Sequence, residues 1–187
     1  MHPQRYLGLA LTISLLSLLA ACGGGGGEGN RGGSGGGSSG NFVTAGIDAT
    51  VYAVMLADDT TRLVFVTDAQ TLYAIFRGDS GPADAPVNLT NEEGDSLELT
   101  ASGDGYAGAF TAASGESLEV TLEKVSRSNG GLHRNRETIR GEDWIIGLIV
   151  LNDGKVVGAA RNEVTGAVDR RTTLSLGIKW DDPAADP

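Results

Sequence analysis

An all-β domain is the fold class this sequence predicts, an antiparallel meander rolled into a small up-and-down barrel or half-barrel of about nine strands. A β-sandwich is the alternative. Three observations predict it. Runs of five to ten residues rich in β-branched and aromatic types are cut by Asp and Gly about every 8–12 residues, the spacing of barrels and sandwiches. Two segments alternate strictly between apolar and polar residues. Nothing between residues 42 and 180 carries the 3.6-residue period of an amphipathic helix.

In chain order, residues 47–56 begin the domain, Asp58-Asp59 turn it, and Arg62–Thr67 form a second strand. Asp68-Ala69-Gln70 turns again, and Leu72–Phe76 is a third strand. These runs are nearly continuously apolar, which predicts strands covered on both faces. Pro82 and Pro86 argue against a central strand in the looser stretch 77–95, leaving Val87–Leu89 as a short edge strand. The segment Gly94–Thr100 (GDSLELT) is then echoed by Gly115–Thr121 (GESLEVT), with Tyr106–Thr111 between them. Alternation places Leu97, Leu99, Leu118, Val120 and Leu122 inward, and Glu98, Thr100, Glu119, Thr121 and Glu123 outward.

Residues 127–142 read as a polar loop. Trp144–Leu151 is the most apolar strand, and Asn152-Asp153-Gly154 is a hairpin turn because these residues tolerate positive φ. Lys155–Ala160 pairs back, Thr165-Gly166-Ala167 turns, and Thr172–Trp180 closes the domain. Residues 181–187, acidic and broken by proline, form a disordered tail. Gly108, Gly147 and Gly158 suit close approach of neighbouring chain.

The N-terminus has a different character. Met1–Arg5 carries one firm positive charge, Tyr6–Leu19 is apolar and uncharged, and Leu19-Ala20-Ala21-Cys22 closes the run. Fourteen apolar residues are too few for a comfortable membrane span of about 20, and suit a signal-peptide core. Leu19–Cys22 resembles the lipobox of bacterial lipoproteins. That resemblance implies removal of residues 1–21, a diacylglyceryl thioether on Cys22, N-acylation of its new amino group, and no other cofactor. Gly23, where some lineages carry Asp for inner-membrane retention, implies an outer-membrane address in the cell envelope. Residues 22–41 follow as a lipidated Cys and flexible linker. Twelve of the eighteen residues 23–40 are glycine and none is apolar, so the stretch gains too little burial to order itself, and reaches about 20–25 Å.

Composition narrows the partners. The net charge of −10 excludes nucleic acid as the natural partner, since phosphate binding needs a basic face. With Cys22 as the one cysteine, no disulfide is available, and the one His of the mature chain leaves no metal set. Residues 41–126 hold 14 acidic and 3 basic groups, whereas residues 127–180 hold 9 basic and 6 acidic ones. Arg127, Arg134, Arg136 and Arg140, with His133, crowd one segment. Arginine forks suit phosphate or carboxylate, so these five residues are the candidate contact with an anionic partner, an envelope protein or an anionic glycolipid.

Two catalytic patterns appear. Gly78-Asp79-Ser80-Gly81-Pro82 resembles the serine-protease signature Gly-Asp-Ser-Gly-Gly-Pro with one glycine missing. That chemistry needs a His base. The His upstream of Ser80 is His2, in the segment that is removed, and His133 lies downstream. Gly103–Gly108 fits GxGxxG but opens no helix, so it reads as a hairpin turn. The sequence therefore points to a non-enzymatic, lipid-anchored binding or scaffold module. Its alternatives are a small-ligand carrier with a barrel pocket and a hydrolase using Ser80 and His133. An empty or a packed barrel interior distinguishes the carrier from the module.

Overall fold

The structure is a computed structural model, and it describes residues 40–46, 49–82, 85–170 and 177–184. Cys22, the signal-peptide segment and the linker up to residue 39 lie outside the described residues, as do Ile47-Asp48 and residues 172–176 of the closing strand.

Thirteen strands are described, all paired antiparallel: β1 (Gly40–Thr44), β2 (Tyr52–Ala57), β3 (Thr61–Thr67), β4 (Ala74–Asp79), β5 (Val87–Thr90), β6 (Ser96–Ser102), β7 (Gly105–Thr111), β8 (Ser117–Lys124), β9 (Gly131–Ile139), β10 (Glu142–Val150), β11 (Val156–Asn162), β12 (Val168–Arg170) and β13 (Ile178–Lys179). The first eight form one sheet in the order β4-β3-β2-β1-β8-β7-β6-β5. Because β1 pairs with both β2 and β8, the meander curls round on itself into a nearly closed barrel. Its seam lies between β4 and β5, which share no ladder. A second sheet, β12-β11-β10-β9-β13, makes up the rest.

Alternation sorts the barrel residues as the sequence predicts. Leu97, Leu99, Val120 and Leu122 are buried, Leu118 is half-buried, and Glu98, Thr100, Glu119, Thr121 and Glu123 are exposed. The two echoed segments become β6 and β8, which flank β7 on either side. Inside the barrel, Phe42, Met55, Phe76, Tyr106, Phe110 and Leu97 pack into one core. Phe42 meets Tyr106 edge to face at 5.1 Å, and Phe76 meets Phe110 at 6.1 Å. The interior is packed with side chains.

Every residue of β2 is buried, and the second sheet is the reason. Val43, Val54, Leu56, Leu63 and Phe65 leave the barrel on its outer side and pack with Leu132, Ile149, Leu151 and Val157 of the second sheet. The apolar runs of β2 and β3 are thus covered on both faces. Gly147 makes this contact close: a Cβ there would sit 2.7 Å from Phe65 Cζ.

The strand count exceeds the expected nine for two main reasons. Gly40–Thr44, at the end of the linker, is already a strand. The expected polar loop 127–142 is also corrected: Gly131–Ile139 is the nine-residue strand β9, joined to β10 by the two-residue turn Arg140-Gly141. Both turn residues have positive φ, 55° and 85°, the requirement of a type I′ hairpin. β9 escapes pattern reading because arginines interrupt both the apolar alternation and its buried face.

The other turns form as read. Gly154 has φ 92° in the β10–β11 hairpin, and Asn162 N–H donates to Ala167 O at 2.8 Å across the next. Gly103, with φ 59°, turns β6 into β7. Residues 181–184, expected to fray, carry contacts to the barrel. Arg77 Nη1 donates to Pro183 O at 3.0 Å, and Asn41 Nδ2 to Asp181 Oδ1 at 3.3 Å.

Candidate functional site

The five predicted contact residues do not stand together. Arg127 is exposed in the β8–β9 turn, beside Gly154. Arg140 is exposed in the turn at the far end of β9. A nine-residue strand separates them, about 30 Å. Neighbouring strand residues point to opposite faces, so His133 and Arg134 part company. His133 is buried, with Nε2 2.9 Å from Asn129 O and Nδ1 without a hydrogen-bond partner.

Arg134 leads to a different grouping. It shares a face with Leu132 and enters the crease between the sheets, 8 % exposed. Its guanidinium lies over the Trp180 ring, 4.8 Å from the centroid. Tyr73 stands beside it, its hydroxyl close enough to act on the guanidinium although no hydrogen bond of good geometry joins Tyr73 Oη to Arg134 Nη1 or Nη2. Burial pushes the Tyr73 hydroxyl above its usual range, against the pull of the Arg134 charge. Burial also holds Arg134 below the usual arginine range, and the charges of Arg77 and Arg136 add to that effect while Tyr73 opposes it. Burial is the leading cause of both shifts.

The rim of the crease draws on three elements. Arg77 comes from β4, Arg136 from β9 and Arg161 from β11. Arg136 pairs with Glu163 at 3.3 Å and Arg161 with Glu93 at 3.2 Å, all four side chains partly or largely exposed. Such exposed pairs are each worth at most about 1 kcal/mol. Beneath the rim, the enclosed space walled by Phe65, Tyr73, Leu132 and Arg134 measures about 10 Å³, roughly one water. Arg134 therefore lies beneath the rim rather than on it.

Sequence reading found Arg134 and Arg136 and missed Tyr73, Arg77, Arg161 and Trp180. The missed residues lie on other strands, and only the docking of the second sheet brings them near. A usable signal was present: Arg62 and Arg77 are, with Lys124, the basic residues of an otherwise acidic stretch.

Ser80 and His133 sit on different sheets, and each is engaged with backbone. Ser80 Oγ donates to Thr61 O at 2.8 Å, extending the β3–β4 pairing past Asp79. Among the described residues, no group of three or more His, Cys, Asp or Glu is placed to hold a metal. The chain matches no protein-family model, no curated protein and no solved structure.

Proposed function

We propose that this protein is a lipoprotein of the bacterial cell envelope, anchored through lipid on Cys22, whose β domain is a non-enzymatic module for an anionic partner. The lipobox-like Leu19–Cys22 and the glycine linker support the anchor. One acyl chain holds a membrane only marginally, whereas two or three hold it stably. The packed barrel interior favours recognition on the outer surface over carriage inside.

One observation carries the binding reading. Arg134 is buried with no ion pair to a carboxylate among the described residues, in a crease where Arg77, Arg136 and Arg161 also gather. A buried guanidinium without a carboxylate partner of its own attracts phosphate or carboxylate. The natural partners are an acidic envelope protein or the phosphates of an anionic glycolipid.

Two measurements test the two halves. Cys22→Ala should abolish labelled palmitate incorporation and release the protein from membranes; a mutant that still takes up palmitate sinks the anchor. Binding to vesicles bearing phosphorylated glycolipid, and to acidic envelope proteins, should weaken as salt rises and should fall about tenfold or more in Arg136→Gln/Arg161→Gln, since screening acts on exposed charges over about 8–10 Å. Equal binding by parent and double mutant at low salt sinks the cleft.

A further inference from the structure

A second buried arginine lies under the barrel seam, apart from Arg134, although Arg77 borders both places. Arg62 sits on β3 opposite Ala57 and Gly78. Val64 and Val66, of the same parity, fill the barrel interior, and Leu63 and Phe65 face out. Arg62 therefore leaves its strand on the interior side, near one end of the barrel. It is 2 % exposed, and its Nε and Nη2 are shielded with no hydrogen-bond partner. No ion pair compensates it among the described residues. A buried charge left in this way is costly, and nothing in the packing requires a cation there.

Directly above runs a slot of about 510 Å³, lined by Arg62, Arg77, Asp79, Ser80, Asn88 and Thr90. It follows the seam between β4 and β5, neighbours in the barrel that share no ladder. A Leu89 methyl fills the place where a side chain at Gly78 would be, so apolar packing rather than hydrogen bonding closes the seam. Among the described residues no ladder bond joins β4 to β5, so widening the slot to uncover Arg62 breaks none.

We propose that this seam binds a small carboxylate-bearing molecule of amino-acid or dipeptide size, anchored on Arg62. The Nε–H and adjoining Nη2–H of a guanidinium run parallel and match the two oxygens of a carboxylate. These are the two nitrogens that are both fully shielded and without a partner. Ser80 Oγ has spent its proton on Thr61 O and is left with lone pairs, and Asp79 is an acceptor when ionised. Together they suit an ammonium or amide N–H on the same ligand and disfavour a phosphate dianion. The slot lies within the range of small-molecule sites, roughly 300–1,000 Å³.

The test titrates the full-length chain, in neutral detergent, with L-alanine, dialanine, dialanine amide and inorganic phosphate. The Arg62 Nε–H and Gly78 amide signals are followed by NMR, and thermal melting is read in parallel. Alanine or dialanine should shift both signals saturably, with a Kd at or below about 1 mM. Which of the two binds more tightly assigns the source, a free amino acid or a peptide C-terminus. The amide should bind at least about tenfold more weakly than dialanine. Arg62→Met should melt no lower than the parent without ligand and lose the response, and Arg62→Lys, which keeps charge without the fork, should weaken it. Arg134→Gln should bind like the parent, which separates this site from the crease. The proposal is overturned by any of four results: no saturable shift, a response surviving in Arg62→Met, phosphate binding more tightly than either carboxylate, or an Arg62→Met melting point well below the parent's.

Discussion

The Arg134 guanidinium stacks on the Trp180 ring at 4.8 Å, and this pair ties the C-terminal segment to the crease between the two sheets. The Trp180 backbone N–H also donates to Leu132 O at 2.9 Å, on β9. Removing the ring forfeits its packing and the cation–π attraction, so Trp180→Ala should cost about 2–3 kcal/mol in urea unfolding. Arg134→Leu should behave in the opposite way. It removes a buried charge without a carboxylate partner and keeps most of the apolar stem, so stability should hold or rise by about 1–3 kcal/mol while anion binding falls. A loss larger than 2 kcal/mol in Arg134→Leu would show that the charge is structural.

Gly147 and Phe65 set how closely the second sheet rides on the barrel. The Cβ of Gly147→Ala would press on the Phe65 ring at 2.7 Å, an overpacking expected to cost about 1–3 kcal/mol. Shrinking the ring should relieve the clash. In a double-mutant cycle, Phe65→Leu should be less harmful in the Gly147→Ala background than alone. Additive effects would mean that the two residues are not in contact.

Asp68 makes stability depend on acid. Partial burial acts to raise its pKa, but hydrogen bonds from Leu72, Gln70 and Thr71 more than offset this and hold it below its usual value of 3.8. Its carboxylate accepts from Gln70 N and Thr71 N at 2.7 Å, and from Leu72 N and Thr71 Oγ1 at 2.8 Å. A lowered folded-state pKa gives stability that is full above 3.8 and is lost as pH falls below it, through the folded value. Asp68→Ala should therefore cost about 1 kcal/mol at neutral pH, discounted for its partial exposure, and progressively less as pH falls below about 4. An equal penalty at pH 7 and at pH 2.5 would exclude this ionised cap.

Much of the fold was legible because most strands obey one rule each. β6 and β8 alternate, β2 and the centre of β3 are continuously apolar, and Asn152-Asp153-Gly154 names its own hairpin. β9 was not legible, since a strand whose buried face carries Arg134 and whose other face carries a buried His133 looks like a solvated loop. The crease was half legible for the same reason. Its residues come from β4, β9 and β11, and no local pattern reports which outer barrel surface will receive a second sheet. Arg62 shows the converse. It looked like an ordinary first residue of an apolar strand, and strand parity places it inside the barrel.

The β9–β10 turn gives the sharpest check on the corrected region. Arg140 adopts φ 55° and Gly141 φ 85°, so the two-residue hairpin places a residue with a Cβ and a long linear stem in the left-handed region. Asn tolerates that region better, because its short side chain bonds locally and clashes less. Arg140 is exposed, so little packing is lost on replacing it. Arg140→Asn should stabilise the domain by about 0.5 kcal/mol, and Gly141→Ala should destabilise it by about 1 kcal/mol or more, because Cβ is strained at positive φ. Chemical unfolding of the three chains under one buffer measures both. If residues 127–142 were a solvated loop, both substitutions would leave stability unchanged.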